Sequence, residues 1–487
     1  MSPPLADSEV PLYVQLADAV AAQITDGTYR PGDRIPSVRR LREQFGVSLT
    51  TVLDACRVLE DRGLVRSRPQ SGHYVTDASR ARREPDASTP SSRARRVDAS
   101  LAVKLNLGIG APNEPTLGAA VQGPELMPMT ALNRLLTQAL RLQPTTCHSY
   151  DAPPGNLALR RAIAQRGSDT GYAVSPDEIV ITSGAKEAVY LSVLAVTRPG
   201  DTVAIESPAY YALLEVLASL DLKAVEISSH PRDGINVDHL ERVLRRQRVA
   251  AIALATTFSN PTGACMSDDA KRRLVDLVEE HEVPLIEDDV YGDLAFDGVR
   301  PKAAKAFDRS GLVLYCGSYS KTLSPGLRVG WAIPGRHQNR FEHLKLVVNQ
   351  FTATAPQLAI AGFLDSGGFD RHLRRVRSRY HEQMERTIEA VERHFPASTR
   401  HTRPDGGHVL WIQLPGGVDA LEIYEDAGRH GIRIAPGPMF SPSGGYRDFI
   451  RLNTGFPFSP AIERQIATLG DLVTRAAATT PSAPSVL

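Results

Sequence analysis

The sequence predicts a multidomain chain in which a small α+β unit precedes a large α/β domain built on a mostly parallel sheet. Three observations predict it. Residues 1–76 carry three helical patterns followed by two short strand-like runs. Residues 77–103 almost lack bulky apolar side chains. From residue 104 onward, short apolar runs alternate with helical patterns, as expected of a parallel sheet covered by helices on both faces. A chain of 487 residues is also too long for one compact core.

In the first unit, Leu12, Leu16, Val20 and Ile24 recur four residues apart, the apolar stripe of one helix. The breaker-rich GTYRPGDR follows. Ser37 is placed to cap a short helix carrying Val38, Leu41 and Phe45, which Gly46 ends. Ser48 is placed to cap a second helix whose Val52, Ala55 and Leu59 face inward, with Gly63 at its end. The runs Leu64–Ser67 and His73–Thr76 read as strands joined by a hairpin tip, Arg68–Gly72.

Residues 77–103 contain six arginines among Ser, Ala, Pro and Asp. Such a composition buries too little surface to offset ordering entropy, so it reads as a flexible, solvated linker whose arginines are also able to meet phosphates. Beyond it, EIVIT, DTVAIE, VAAIALATT, VPLIEDD, LVLYCGS and RVGWAI read as buried strands, and DDAKRRLVDLVEEH as an intervening helix. The tail TTPSAPSVL reads as disordered.

Composition narrows the function. Hydrophobic residues make up 42% and charged residues 23%, ordinary for a globular protein. The net charge is +1, so any nucleic-acid site must be local. Four well-separated cysteines offer no disulfide framework, and no Cys/His spacing suggests a metal. The opening MSPPLADSEVP lacks the pattern of a signal peptide, and no apolar run approaches the roughly 20 residues needed to span a bilayer. The expected location is cytoplasmic, with no membrane partner.

Two short capped helices around GVS, then a hairpin, form a winged helix-turn-helix. A helix starting near Ser48 fits the major groove and would aim Ser48, Thr50 and Thr51 at base edges or phosphates. The hairpin, with Arg66, Arg68 and His73, would reach an adjacent groove. Residues 30–72 hold nine Arg against five Asp or Glu, a local excess suited to phosphate neutralisation. Periodicity alone equally allows a helix-turn-helix used only for packing. The string RPGDRIPSVRRLREQFGVSLTTV…LEDRGLVRSRPQSGHYV, however, closely resembles the GntR-type winged helix over the whole unit. The resemblance implies that Arg39, Ser48, Thr50 and Thr51 contact phosphates or bases and that Gly72 shapes the wing. Leu49 and Leu53 depart from it, standing where many members carry basic groove-reading side chains.

In the large domain, SYSKTLSPGLRVG places Lys321 between two strand-like runs, after small hydroxyl residues and before a Pro-Gly turn. A lysine amine of lowered pKa can form a Schiff base with an aldehyde cofactor. Arg328 can hold a phosphate bidentately, with Ser318 and Ser320 adding hydroxyls. Alone, such a string is more often a surface loop. Three further constellations change that reading. In EIVITSGAKEA, backbone N–H groups of Gly184, Ala185 and Lys186 open onto a helix N-terminus, a ready phosphate site. In LIEDDVYGD, Asp288 ends a buried strand with Tyr291 three residues on; a carboxylate beside a pyridine nitrogen keeps it protonated, and a tyrosine hydroxyl can bond a ring phenolate. In SNPTG, the Asn260 amide can donate to the same phenolate.

The order of these pieces closely resembles the class I aminotransferase fold, pyridoxal-phosphate (PLP) fold type I, from about residue 104 to the end. The resemblance implies Lys321 as the Schiff-base lysine and Asp288 as partner of the pyridine nitrogen. It implies Asn260 and Tyr291 as phenolate ligands and Tyr210 as the stacking aromatic. Ala185, Lys186, Ser318, Ser320 and Arg328 match the phosphate cup, Tyr150 a tyrosine that reaches the partner subunit's phosphate, and Arg451 the arginine that binds a substrate carboxylate. A winged helix at 1–76, a linker at 77–103 and an aminotransferase-like domain at 104–487 together resemble the MocR family of PLP-dependent regulators. That family implies a domain-swapped homodimer bound to a double-stranded DNA operator, with PLP or its Schiff base with a small amino compound as effector. The alternative is a working aminotransferase with an appended DNA-binding domain.

Overall fold

The computed structural model describes residues 11–479, apart from 31, 62–63, 69–71, 76–83, 108–114 and 170. It separates into two compact units, one ending at Arg83 and one beginning at Glu84. The tip of the expected hairpin, Gly63, and most of the tail fall outside the described residues.

The first unit contains α1 (Leu12–Thr25), α2 (Val38–Phe45), α3 (Leu49–Asp61) and the antiparallel pair β1 (Val65–Arg68) and β2 (Gly72–Val75). Ser37 Oγ accepts the N–H of Arg40 at 3.3 Å, and Gly46 closes α2 in the left-handed conformation. Ser48 Oγ accepts the N–H of Thr51 at 3.1 Å. These caps hold α2 and α3 at the angle that joins Leu16, Val20, Leu41, Val52, Ala55 and Leu59 in one core. Leu12, at the helix start, stays half exposed. The segment before α2 hydrogen-bonds to β2, with Val75 N–H donating to Asp33 O and Ile35 N–H to His73 O, so the hairpin is tied to the helices by backbone.

The reading of residues 77–103 as a flexible linker is corrected over 84–103. Arg95–Arg96 forms β3, antiparallel to Ala224 and Lys223. Val97 and Ala99 are buried, Ser88 exchanges hydrogen bonds with Ser229, and Arg96 pairs with Asp221 at 2.6 Å. Composition misjudges the segment because its order comes from contacts with distant residues: two residues of backbone pairing to β6, side-chain bonds from Ser88 and Arg96, and the burial of Val97 in the core of the large unit.

The large unit is built on a nine-stranded sheet. Its other strands are β4 (Val180–Thr182), β5 (Thr202–Ser207), β6 (Lys223–His230), β7 (Gly234–Ile235), β8 (Ala251–Leu254), β9 (Leu285–Asp288), β10 (Val313–Ser318) and β11 (Gly330–Ile333). The order is β3-β6-β5-β8-β9-β10-β11-β4, with β7 beside β6. From β6 to β10 all pairs are parallel, and β11 runs against both its neighbours. All six strands read from the sequence are present, as is the helix Asp268–His281. A second sheet, order β12-β13-β15-β14, comprises β12 (Arg400–His401), β13 (Val409–Gln413), β14 (Ala435–Pro436) and β15 (Phe449–Asn453). In the parallel sheet, Ser207, Leu254, Asp288 and Ser318 are carboxyl-terminal residues, and binding crevices form outside such ends. No helix among the described residues is long and apolar enough to cross a membrane.

Candidate cofactor site and nucleic-acid interface

The first unit presents α3 with its inner face sealed by Val52, Ala55, Cys56 and Leu59. Ser48, Leu49, Thr50 and Leu53 are exposed. Ser48 Oγ lies 2.8 Å from Thr51 Oγ1, so these two expected DNA contacts bond each other at the helix start. The Arg39 side chain is 85% exposed, and its pair with Glu43 at 3.1 Å is a screened surface contact that a phosphate can replace. Gly72 has φ +104°, and a Cβ there would meet the Arg34 guanidinium at 2.8 Å, so the start of β2 requires glycine. His73 does not stand out on the wing. Its side chain is 16% exposed and lies 3.6 Å from Glu60, because the short strand runs beside the last turn of α3, and burial lowers its pKa. The side chains of Arg66 and Arg68 lie outside the described residues.

In the large unit the strand ends surround a cavity of about 320 Å³. Ten of the expected residues line it: Ala185, Lys186, Tyr210, Asn260, Asp288, Tyr291, Ser318, Ser320, Lys321 and Arg328. They come from separate connections, each following a different strand, so the sheet's parallel register is what brings them together.

One end is shaped for an anion. Gly184, at φ +90°, caps the helix Ala185–Val196, whose first N–H groups face the cavity. A Cβ on Gly184 would lie 2.5 Å from Arg328 Nη2, and one on Gly330 would lie 2.5 Å from the Gly184 carbonyl carbon, so this close approach needs glycine at both places. Arg328, itself left-handed at φ +52°, donates to Ser183 O at 2.8 Å. Ser318 Oγ donates to Ser320 Oγ at 2.8 Å. The amine of Lys186 turns away to Glu215 at 2.5 Å, leaving its backbone N–H for the cup.

The opposite end is polar and short of partners. Asp288 Oδ1 and the Tyr291 hydroxyl are buried without a hydrogen bond among the described residues. Adjacent Asp289 is fully engaged: Arg300 donates to it at 2.7 Å and Tyr315 at 3.1 Å. Of the two carboxyls, only Asp288 is therefore available to the cavity. Burial and then the Asp289 charge push its pKa up to about 7. Burial and then the nearby Arg451 charge push the Lys321 amine down to about 8, which raises the share of nucleophilic free base near neutral pH.

Two expected residues stand apart. Arg451, on β15, is fully buried beside the cavity; it donates to Gly118 O and lies 3.5 Å from Asn260 Oδ1, while its Nε has no partner among the described residues. Lys321 Nζ donates to Ala120 O at 2.5 Å, so one segment holds both cations. Tyr150 is 82% exposed, with its ring edge-to-face on Phe351 at 5.1 Å, and does not line the cavity.

Sequence reasoning misses Tyr211, which lines the cavity beside Tyr210, and His408. The His408 ring lies 5.2 Å from both Tyr291 and Tyr380, and its Nδ1 donates to Asn453 Oδ1 at 3.0 Å. Burial and the Lys321 charge push its pKa down to about 3, so it is neutral. A single histidine entering a strand carries no local signal. Tyr211 is visible in the doublet PAYY, where sequence does not say which ring faces inward.

Residues 12–75 match the bacterial regulatory proteins of the gntR family, and residues 103–455 match aminotransferase class I and II. The chain is 39% identical to the uncharacterized HTH-type transcriptional regulator YdcR of Escherichia coli strain K12, over 95% of this chain and 98% of that protein. It is 30% identical to the 2-aminoadipate transaminase of Thermus thermophilus, over 74% of this chain and 90% of that protein. The solved structure of LysN, the α-aminoadipate aminotransferase of the same organism complexed with N-(5'-phosphopyridoxyl)-L-leucine, aligns with a TM-score of 0.72 at 28% identity, covering 79% of this chain and 96% of that one.

The raised carboxyl gives a pH-dependent outcome. Unfolded, Asp288 ionises near 3.8; folded, near 7. Between those values the unfolded chain loses this proton first, so the group costs folding stability increasingly as pH rises from about 4 to about 7 and no more above that. Asp288→Asn removes the cost. In cofactor-free protein its melting temperature should gain on the parent's across that range and then level off. An unchanging difference would mean that Asp288 ionises like an exposed carboxylate.

Proposed function

Because this chain belongs to the aminotransferase class I and II family and carries a gntR-family head, the MocR-type architecture, we propose that this HTH-type transcriptional regulator senses its signal through pyridoxal phosphate held at Lys321. The observation that carries the reading is the pair of buried polar atoms, Asp288 Oδ1 and Tyr291 OH, without a partner among the described residues and opening on a cavity that also holds Lys321. An apolar-lined site with unmet polar atoms loses stability unless a ligand supplies their partners.

The residues fit that cofactor. PLP supplies an aldehyde for an amine and a ring whose protonated nitrogen draws electrons. Asp288 would hold the nitrogen's proton, Tyr291 and Asn260 would bond the ring oxygen, and Tyr210 would cover the ring. The N-terminus of helix Ala185–Val196, with Ser318, Ser320 and Arg328, would hold the phosphate. Tyr150, exposed here, would complete the phosphate site of the partner in a homodimer, the usual assembly of this fold.

The effector reading follows from the segment that engages both cations. An amino compound bearing a carboxylate would take the place of Gly118 O at Arg451, and cofactor at Lys321 would take the place of Ala120 O. The segment carrying both carbonyls would then move. A ligand that prefers one position of this segment shifts the population between two states, as a DNA-binding switch requires.

Three outcomes test these assignments. Borohydride treatment of PLP-saturated protein should fix the cofactor on Lys321 by mass spectrometry, and Lys321→Ala should abolish the linkage; attachment to another lysine overturns it. With effective amino acids as probes, Arg451→Ala should weaken both the visible spectral response and the DNA response about 10- to 1,000-fold, the scale of losing a buried charged contact. A DNA response to PLP that ignores Arg451→Ala would leave PLP itself as the signal. At the small unit, Arg39→Ala should weaken binding to all DNA sequences alike and lower the salt slope by about one unit. Specific binding that survives deletion of residues 1–76 would refute the placement of the interface.

A further inference from the structure

We propose that Leu49 and Leu53 are sequence-reading side chains of this regulator and that they recognise the 5-methyl groups of thymines in the major groove. The inference rests on the reading of α3 as the groove-entering helix.

Leu49 is 51% exposed and Leu53 45% exposed, one turn apart on the same face of α3. They are not displaced core residues. The core of the unit is complete on the opposite face, where Val52, Ala55, Cys56 and Leu59 are buried. The exposed stripe continues one turn on to Arg57, and exposed Arg40 and Arg42 lie on α2. A pair of apolar side chains with a cation one turn along the same stripe, in a unit with an excess of arginine, suits a polyanion with an apolar feature on its floor. In the major groove that feature is the thymine methyl, which no other base of DNA's standard four carries. Polar reading from the start of the helix is limited, because the Ser48 and Thr51 hydroxyls bond each other at 2.8 Å and Ser48 Oγ also accepts the Thr51 N–H. A protein-docking face would be expected to extend the apolar area, whereas the neighbours along the helix here are Thr50, Asp54 and Arg57.

Deoxyuridine isolates the methyl group, since it pairs as thymidine does and lacks only that group. An operator would be selected from random duplexes with the full-length protein, then remade with deoxyuridine replacing thymidine at each position in turn. The expected result is about 4-fold weaker binding at each contacted thymine, the scale of one buried methyl, confined to a few positions per half-site. Leu49→Ala and Leu53→Ala should each erase that difference at its own position and leave the salt slope unchanged. A selected operator that binds equally well with deoxyuridine throughout overturns the inference while leaving α3 as the reader. Leucine variants that lose the same affinity on both operators overturn it too, as do variants that change only self-association. If no sequence is selected by the parent protein, the reading of α3 itself falls, and this inference with it.

Discussion

The large unit's site depends on one buried ion pair, that of Asp289 with Arg300. Arg300 also donates to Asp293, and Asp289 accepts from Tyr315 OH and from the Gly292 N–H. This network locks the end of β9 to β10 and to the turn that follows. Desolvating two charges is costly, and the additional hydrogen bonds offset that cost. Its effect is directional. With Asp289 held on the protein side, its neighbour Asp288 must project the other way, and Tyr291 is carried into the cavity by the same turn. Two successive carboxyls thus acquire opposite roles from the geometry of one strand end.

The same logic separates what is legible in the sequence from what is not. Continuous apolar runs such as LVLYCGS and VPLIEDD announce the parallel strands, because a strand buried on both faces has no polar alternation. The site strings around Lys321, Asn260 and Asp288 are legible because each sits at the end of such a strand or in the short connection after it. β6 escapes such a reading, since KAVEISSH carries Glu226 and Ser229, polar residues that the fold buries. The short strands of the second sheet have little local pattern, and Arg451 owes its burial to pairing on that sheet. His73 is misplaced by sequence because strand alternation does not say which face meets a helix. Residues 84–103 are misread because their order comes from contacts with residues far along the chain, backbone and side chain together, that composition does not show.

The two candidate sites expose opposite kinds of unmet chemistry. In the cavity, polar atoms are buried without partners among the described residues, a costly state that a polar ligand relieves. On α3, apolar side chains stand in water one turn from an exposed arginine, a state that contact with a charged, grooved surface relieves. Each departs from the rule that polar groups face out and apolar groups face in, and local violations of that kind mark function more reliably than composition does.

β3 also has a consequence for handling the protein in pieces. β6 has β5 on one side, and on the other side β3 covers Lys223 and Ala224. Cutting the chain at residue 104, where apolar patterning begins, would strip that cover and leave ladder N–H and C=O groups open to any extended peptide. Uncovered edges of this kind invite intermolecular pairing and aggregation. An excised large domain that begins at Glu84 keeps its own edge guard, so the solubility of the isolated domain is decided by a segment that contributes nothing to its cavity.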